Sequence, residues 1–544
     1  DFRFAYKWGC RIMANEYGNY CTLNAAQTKI SPWNGVTISN GNLSYTTTVG
    51  NRAAGGTIQI PATGKWYWEI TNTTIGGVNY IGVAGTDYNA ATGAGRVAYL
   101  SDARKIDESK TISSYGATYA DGDVIGVAVD MDADTITMYK NNASQGIMYS
   151  GLAARFTQGF VSHITGGAAS DVMHINYGQT AFAYTPPTNH VALATQNLPT
   201  PAVINPADHY FSAVIAHDGS DTDGTCTFNL DTYEWLAFIK NTTGAVEKWY
   251  WINSLDGVNK YLDQAGSALV TDANVMSVSG TTFTLGSTLG DKDYLVEFHK
   301  AGLASATAAN TSGTEDTIAT SENATSGFGM AQFASPSSGN FSIGHGFSVA
   351  LSYVVTNETS RASSWLNWHT SLNGGSPGTT YRLNQNTTAA QTSTANYWGS
   401  TGMTSTVMGY GTAVSLAASE NVTVFYWHGV DGYSAFGSYE GNGNADGPMI
   451  STNFSATTQI MKNIDGVAAW AEYSATVFPN NVVSQILIPN QTNILNTSNA
   501  GDIVSNGVKF RAADSSTNAA VTYIYGAWGG RSLTDGGVNQ GRAR

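Results

Sequence analysis

The sequence predicts an all-β protein, and three observations lead to this prediction. Only 12% of the 544 residues are charged, whereas 42% are hydrophobic and 11% aromatic, which is the reverse of a disordered composition. Valine, threonine and aromatic residues favour strands, and the 60 glycines and many asparagines suit the turns between them. Short apolar or alternating runs bounded by such turns recur along the chain, so we expect many short strands and few helices.

The first half contains a regular series of predicted strands. Residues 1–35 show no clear period and are interpreted as an N-terminal arm. The strands predicted after it cover residues 36–38, 58–60, 65–70, 80–84, 124–130, 135–139, 173–178 and 182–187. The run 124–130 is almost continuously apolar, which is typical of a buried sandwich strand. Together these strands predict a β-sandwich over residues 36–187.

This series of motifs resembles a SPRY domain, also called B30.2. The resemblance is carried by Gly64–Glu69, Gly122–Val127, Asp130–Tyr139 with Asn141, Asn176–Gln179 and Phe182. The sequence departs from the family pattern at Asn142, where the family often has glycine. The resemblance implies a bent antiparallel β-sandwich that recognises proteins through loops at one end.

The second half repeats a set of landmarks three times. Trp249, Trp365 and Trp470 follow one another at intervals of 116 and 105 residues, and other aromatic and asparagine positions show nearly the same intervals. Shared intervals indicate one module of about a hundred residues that is used three times. We therefore predict β repeat modules at residues 207–302, 326–429 and 431–530, linkers at 188–206 and 303–325, and a C-terminal tail at 531–544.

A second resemblance is to structural proteins of marine bacteriophages. The segments that carry it are residues 20–24, 39–43, 433–448, 505–511 and 522–525. The first two modules depart from the pattern in their glycine-rich opening, at residues 217–220 and 334–336. The resemblance implies a fibre, tail or surface component of a virion, without a specific ligand. By analogy with phage fibres we expect a homo-oligomer, a trimer.

The charge and the cysteines limit the possible functions. The net charge is −14 and the isoelectric point is near 5.0, and no basic stripe suggests nucleic-acid binding. No apolar run approaches the roughly 18 residues of a membrane span. The odd set of Cys10, Cys21 and Cys226 favours free thiols in a reducing compartment, with a Cys10–Cys21 disulfide as the alternative.

No sequence motif predicts a catalytic centre. The nine histidines show no zinc-protease spacing, and the match Gly374–Gly378 to a nucleophile elbow is interpreted as a turn because Pro377 follows its serine. Six glutamates, of which no two can be paired from sequence, are the candidates for a glycan-cleaving pair: Glu69, Glu234, Glu247, Glu297, Glu440 and Glu472. We predict no catalytic residue and no cofactor.

Two acidic turns are candidate calcium loops. Asp130, Asp132 and Asp134 alternate as such a loop begins, but Thr135 occupies the position that requires glycine and Asn141 the position of the bidentate glutamate. The second turn contains Asp218, Asp221 and Asp223. For both turns we favour a hairpin without metal and predict no metal site.

Tryptophans could form either core or sugar-binding surface. A residue that recurs at a fixed place in a repeat is first a core position, because each copy must fill the same interior. We therefore assign Trp249, Trp365 and Trp470 to the core. Residues 85–120 are polar, and we expect a long irregular loop there that is a better candidate for binding.

These observations predict a non-enzymatic structural or adhesion protein of a bacteriophage virion, most simply a tail fibre. It would bind the host surface or other virion proteins, and neither nucleic acid nor a membrane span is expected. The alternatives are a tailspike depolymerase that cuts capsule polysaccharide, a capsid-decorating protein and a bacterial surface adhesin.

Overall fold

The structure is a computed structural model that describes residues 19–25, 35–89, 94–266, 268–336, 339–414, 416–493 and 501–532. Over these residues the chain is almost entirely β, which confirms the predicted fold class. The helical elements described are two single turns, α1 (Leu152–Arg155) and α2 (Leu372–Gly375), and 3-10 turns at Thr195–Asn197, Pro206–Asp208, Ala304–Ala306 and Thr412–Val414. The predicted arm, apart from residues 19–25 and residue 35, and nearly all of the predicted tail lie outside the described residues.

The N-terminal domain is a sandwich of two mainly antiparallel sheets. One sheet contains β1 (Val36–Ser39), β2 (Ser44–Thr47), β4 (Lys65–Thr74), β9 (Val124–Asp130), β10 (Thr135–Lys140), β11 (Ala143–Ser150), β13 (Val172–Asn176) and β14 (Val191–Ala192). The other contains β3 (Arg52–Gln59), β5 (Tyr80–Asn89), β6 (Ala94–Leu100), β7 (Arg104–Ile106), β8 (Ile112–Ser114) and β12 (Phe160–Gly166). Trp66, Trp68 and Val127 are buried in the core between the sheets.

The expectation of an irregular loop at residues 85–120 is wrong. β5 extends to Asn89, and β6 pairs with it and then with β7. Val97, Ala98, Tyr99 and Leu100 have no exposed surface. Their apolar content was hidden by the polar residues that form the turns on either side, so composition averaged over the segment concealed three short strands.

The second domain contains three main sheets, which we call sheets I, II and III. Sheet I belongs to a unit with β15 (Tyr210–Asp218), β16 (Thr222–Thr225), β17 (Tyr233–Asn241), β18 (Tyr250–Asn253), β19 (Lys260–Tyr261), β20 (Val270–Thr271), β21 (Met276–Ser279), β22 (Thr282–Leu285) and β23 (Asp291–Leu303). Sheet II belongs to a unit with β24 (Ala319–Asn323), β25 (Phe328–Ala334), β26 (Phe341–Gly344), β27 (Tyr353–Glu358), β28 (Leu366–His369), β29 (Tyr381–Asn384), β30 (Thr392–Ser393), β31 (Val407–Tyr410) and β32 (Asn421–Trp427). Sheet III belongs to a unit with β33 (Ala435–Glu440), β34 (Met449–Ser451), β35 (Phe454–Ser455), β36 (Thr458–Asn463), β37 (Trp470–Ser474), β38 (Gly501–Val504), β39 (Gly507–Phe510), β40 (Thr522–Trp528) and β41 (Arg531–Ser532).

The same strand order occurs in all three main sheets. It is β15-β23-β17-β18 in sheet I, β25-β32-β27-β28 within sheet II, and β33-β40-β36-β37 in sheet III. Each main sheet packs one face on a core of its own, formed with a smaller sheet: β16-β22-β21, β26-β31 and β34-β39-β38, respectively. Each unit is therefore a small sandwich.

The other face of each main sheet packs on one central core that all three units share. Buried side chains of this core include Phe238 and Trp249 from sheet I, Val355 from sheet II, and Ile460 and Trp528 from sheet III. The buried ring of His299 lies among aromatic rings from all three sheets. The three units therefore surround a common interior.

The three recurring tryptophans link each unit to a neighbour. Trp249 Nε1 donates to the carbonyl oxygen of Ile488, 3.0 Å away in the third unit. Trp470 Nε1 donates to the carbonyl oxygen of Asn384 in the second unit at 3.3 Å. The Trp365 ring packs edge-on against Trp251 of the first unit, with centroids 4.7 Å apart. The contacts run from unit to unit in one direction and close the circle.

The N-terminal sandwich is fixed to the third unit by polar contacts. The main chain of Gln59 exchanges hydrogen bonds with the Asn453 side chain, at 2.8 and 3.1 Å. Gln158 and Ser438 form a second reciprocal pair. Reciprocal bonds define the relative position of the two domains more tightly than a single contact would.

Candidate functional site

The predicted acidic turns are hairpins stabilised by their own hydrogen bonds. Asp130 forms an ion pair with Lys65 at 2.5 Å, Asp132 accepts from the backbone N–H of Gly64 at 2.8 Å, and Asp134 accepts from that of Ala153 at 3.0 Å. In the second turn Asp218 accepts from its neighbour Ser220. Over the part of the chain that the structure describes, no group of three or more acidic, histidine or cysteine side chains could hold a metal ion.

Two of the six candidate glutamates are brought together. Glu297 of β23 and Glu472 of β37 line a central cavity of about 30 Å³ that aromatic side chains enclose. Burial raises the pKa of both carboxyl groups, and the charge of Glu297 raises the pKa of Glu472 further. A cavity of this size corresponds to about one water molecule, so a sugar chain cannot reach this pair.

The assignment of the recurring tryptophans to the core is confirmed. Trp249 and Trp365 are 2% exposed and Trp470 is 1% exposed. Both described cysteines, Cys21 and Cys226, are buried free thiols, and Cys10 lies outside the described residues. Gly374–Gly378 forms a turn without a helix after it, so its serine does not occupy a nucleophile elbow.

A cleft of about 430 Å³ lies where the first unit meets the second. Its walls are the end of β23, the 3-10 turn after it and β24. Residues 303–325, which we expected to be a linker, supply seven of its twelve lining residues. The volume is within the roughly 300–1,000 Å³ of small-molecule sites, and the cleft is the candidate functional site.

Close packing of two strands shapes the wall of the cleft. Gly302 of β23 lies against β24, where a Cβ atom would come within 2.8 Å of the Glu322 carbonyl oxygen. The Gly302 N–H instead donates to the Ser321 hydroxyl at 3.0 Å. A β-bulge between Tyr233 and Trp235 shifts the register against β23, so that Tyr233 lies opposite Leu303 at the rim.

Lys300 is the cation of the cleft. Its stem packs over the end of the first unit's own core, and its Nζ lies 4.3 Å from the centre of the Tyr233 ring and 5.6 Å from that of Phe228. The residue is only 9% exposed, and burial lowers the pKa of its ammonium group. Among the described residues no carboxylate forms an ion pair with Nζ, but the more distant charge of Asp208 counteracts part of this lowering of the pKa.

His209 is held in one tautomer. The Asn323 side-chain amide donates to the Lys300 carbonyl oxygen at 3.2 Å and to His209 Nδ1 at 2.9 Å. Because Nδ1 accepts, the proton of the neutral ring is on Nε2. Burial and the charge of Lys300 lower the pKa of His209 to about 4, so the ring is neutral at physiological pH.

Glu322 is the acid of the cleft. One of its carboxylate oxygens, Oε1, accepts from the Tyr426 hydroxyl and from the Gly346 N–H, both at 2.6 Å. A carboxylate offers about four lone-pair sites, so it keeps acceptor capacity. The cleft therefore presents a cation, a neutral N–H donor, acceptor oxygens and the apolar side chain of Leu303, which is 44% exposed.

None of the cleft residues was identified from the sequence as a site. Lys300 follows the aromatic strand that ends the first repeat, where a lysine is ordinarily a solvated strand end. The one available signal was that the next residues of the strand, Ala301 to Leu303, are again apolar. His209 was noted in the sequence, but without a partner.

Comparisons with known proteins give two family matches. Residues 205–531 match DUF7483, described as a domain of unknown function, and because this match spans more than half of the chain, the protein belongs to that family. Residues 65–180 match the SPRY domain, which confirms the SPRY resemblance for the N-terminal sandwich. The DUF7483 match begins just before β15 and contains all three main sheets.

Three individual relatives each cover less than a third of this chain. The E3 ubiquitin-protein ligase RKP of Arabidopsis thaliana is 31% identical over 94 residues, which is 16% of this chain and 7% of that protein. The SPRY domain of human HERC1 is 14% identical over 27% of this chain and 94% of its own, with a TM-score of 0.22. The PSpry domain of TRIM65 is 10% identical over 31% of this chain and 97% of its own, with a TM-score of 0.23.

The sequence predicted no membrane span. No helix in the described part of the chain is long and apolar enough to span a membrane.

Proposed function

We propose that this chain is a non-enzymatic structural and adhesion protein of a bacteriophage particle, located in its tail fibres or on its surface. The observation that carries an adhesive role is the cleft, in which the nearly buried Lys300 forms no direct ion pair among the described residues and only the more distant charge of Asp208 acts on it. A largely buried cation without a direct ion pair is stabilised when a ligand carboxylate pairs with it. The resemblance of residues 433–448 and 505–511 to phage structural proteins supports the location.

We also propose that the DUF7483 domain arose by triplication of one β module. The shared strand order and the fixed place of Trp249, Trp365 and Trp470 support this. In each unit the main sheet completes the unit's own core with one face, and its other face remains apolar. When three copies turn these apolar faces toward one another, all three faces are buried, as neighbouring repeats complete each other's core in repeat proteins.

The fixed junction between the SPRY domain and the third unit supports a scaffold role. Bonds between Gln59 and Asn453, and between Gln158 and Ser438, hold the two domains in one orientation. We propose that the chain assembles as a homotrimer with other virion proteins as partners. Light scattering on the purified chain tests this stoichiometry, and a strictly monomeric protein at all concentrations would contradict it.

Gold-labelled antibody against the chain, applied to intact particles, tests the location. Label on tails or fibres is the expected result, and label spread over capsids would favour a decorating protein instead. Unlabelled particles with label on the bacterial envelope would favour an adhesin and contradict the proposal.

Incubation with capsule polysaccharide, followed by measurement of new reducing ends, tests the non-enzymatic assignment. The enclosed Glu297 and Glu472 pair offers no access to a polymer, so we expect no release above that of a heat-denatured control. Release that persists after gel filtration of the intact chain would favour a depolymerase.

A further inference from the structure

We propose that the cleft between the first two units binds the carboxylate of an acidic sugar. This inference rests on the proposed adhesive function and names the class of ligand for that site. The cleft presents four side chains that can contact such a ligand: Lys300, His209 and Glu322, with Leu303 at the rim.

Lys300 supplies the charge that selects an anion. Its ammonium group has three N–H donors, and the described residues offer it the aromatic faces of Tyr233 and Phe228, with Asp208 acting on its charge from beyond ion-pair distance. A cation–π contact stabilises the charge without accepting a directed hydrogen bond. The N–H donors therefore remain available to a ligand oxygen, and a carboxylate oxygen gives a strong, charge-assisted bond.

His209 supplies a second donor in the same cleft. Asn323 holds the Nδ1 side as an acceptor, and among the described residues no acceptor engages the Nε2–H, which can therefore donate to a ligand. The neutral ring adds no positive charge at neutral pH. The cleft therefore offers one full positive charge with an uncharged donor beside it, which suits a singly charged carboxylate better than a doubly charged phosphate.

Glu322 and Leu303 favour a sugar as the carrier of that carboxylate. Glu322 retains acceptor capacity beyond its bonds to Tyr426 and Gly346, which suits the hydroxyl donors of a sugar. Its negative charge also disfavours a second anionic group on the ligand. Leu303, which is 44% exposed, forms an apolar side of the cleft, against which the C–H face of a pyranose ring can pack.

Isothermal titration of the full chain with three matched ligands tests the proposal: glucuronate, glucose and glucose 6-phosphate. We expect glucuronate to bind at least about tenfold more tightly than glucose, because one charge-assisted bond is worth at least that factor. Lys300→Met should abolish this preference, whereas Lys110→Met, at an exposed lysine of the SPRY domain, should leave it unchanged.

Rim variants keep the test independent of the folding of Lys300→Met. Leu303→Glu places a negative charge at the mouth of the cleft and should weaken glucuronate binding about tenfold or more, while the isosteric neutral Leu303→Gln should not. Equal binding of glucose and glucuronate, no binding of either, or equal effects of the two rim variants would overturn the proposal. Preferential binding of glucose 6-phosphate would also overturn it, in favour of a phosphate site.

Glucuronate titration and antibody labelling test the two proposals separately, because either one can succeed while the other fails. If antibody labels the tail while glucuronate fails to bind, the carboxylate assignment is wrong and the structural role stands. If glucuronate binds through Lys300 while no particle is labelled, the ligand class stands and the virion location is wrong.

Discussion

Glu472 occupies a site where ionisation is unfavourable. Its side chain is 4% exposed, and its Oε1 atom has no hydrogen-bond partner in the described structure. Burial and the neighbouring Glu297 raise the pKa of its carboxyl group well above the ordinary value. The folded state therefore binds more protons than the unfolded state between the two pKa values, and the free energy of unfolding falls as pH rises through that interval.

Glu472→Gln removes this titration while keeping the shape of the side chain. Relative to the wild type, we expect the variant to become more stable as pH rises above about 4.5, by up to about 1.4 kcal/mol per pH unit. Urea unfolding from pH 4.5 to pH 8 measures the difference, with Glu440→Gln at an exposed position as the control. A constant difference between variant and wild type over this range would contradict the assignment.

The environment of a residue could be predicted from the sequence where the same position recurs in every repeat. It could not be predicted where the contacting residues are distant in the chain. Trp249, Trp365 and Trp470 recur because each unit fills the same interior, so their burial could be read from spacing alone. Lys300 has no such counterpart, since the residues that correspond to it in the other units are not lysine. The role of Lys300 in the cleft depends on Asn323 and Glu322, which belong to the second unit and come near Lys300 only in the folded chain.

At the scale of elements, the close contact between β23 and β24 requires a residue without a side chain at position 302, which is a glycine. A Cβ atom on Gly302 would lie 2.8 Å from the Glu322 carbonyl oxygen and 3.0 Å from its nitrogen, and backbone atoms cannot move aside as a flexible side chain can. We expect Gly302→Ala to lower the free energy of unfolding by about 1–3 kcal/mol. Gly290→Ala, just before the same strand, is the control, because its nearest atom is a lysine side-chain carbon at 3.5 Å.

Urea unfolding measures the free energy of unfolding of the two glycine variants, and titration with glucuronate measures whether each variant still binds a ligand in the cleft. If Gly302→Ala and Gly290→Ala have the same stability, the close approach of β23 and β24 does not limit the residue at this position.

The tryptophan contacts that join neighbouring units are a second element-scale feature. Trp249→Ala should cost about 3–5 kcal/mol, because it leaves a large cavity in the central core. Trp249→Phe keeps most of the apolar volume but leaves the Ile488 carbonyl oxygen without its donor, so we expect a smaller loss, of about 1–3 kcal/mol. Thermal unfolding followed by circular dichroism measures both variants, and an unchanged melting temperature in Trp249→Ala would contradict the core assignment.

Most predicted strands of the SPRY domain were accurate because they were read from apolar or alternating runs such as residues 124–130, but the strand predicted at 182–187 is wrong, since that segment is irregular and ends in two prolines, which cannot donate to a sheet. The strands within residues 85–120 were missed, since each is short and its turns are polar. A sequence window that averages over the short strands and their polar turns has the composition of a loop. The pairing of β6 with β5 and β7, which buries Val97 and Tyr99, is a tertiary property that such an average cannot contain.

At the scale of the whole molecule, the shared core could not be derived from the repeat. Equal spacing is compatible with three units in a row or in a closed group, and the difference is decided by contacts between residues more than two hundred positions apart. Trp249 with Ile488, and Tyr210 with Thr458, are such contacts. The apolar face that each main sheet leaves after completing its own core is the physical reason for closure, since an exposed face of that size would be unfavourable in water.

The closed arrangement predicts that the DUF7483 domain folds as one cooperative unit. Without residues 431–532, the Trp249 indole loses its acceptor, Lys240 loses the Thr492 carbonyl oxygen that its ammonium group contacts at 2.9 Å, and Tyr210 loses the Thr458 hydroxyl at 2.8 Å. The inner faces of sheets I and II would then be open to water. We expect a fragment of residues 205–430 to lack a cooperative thermal transition and to aggregate, whereas residues 205–532 should show a single transition. Calorimetry and amide hydrogen exchange on the two fragments measure this, and a two-unit fragment that melts cooperatively near the temperature of the full domain would mean that each unit is stable without the central core.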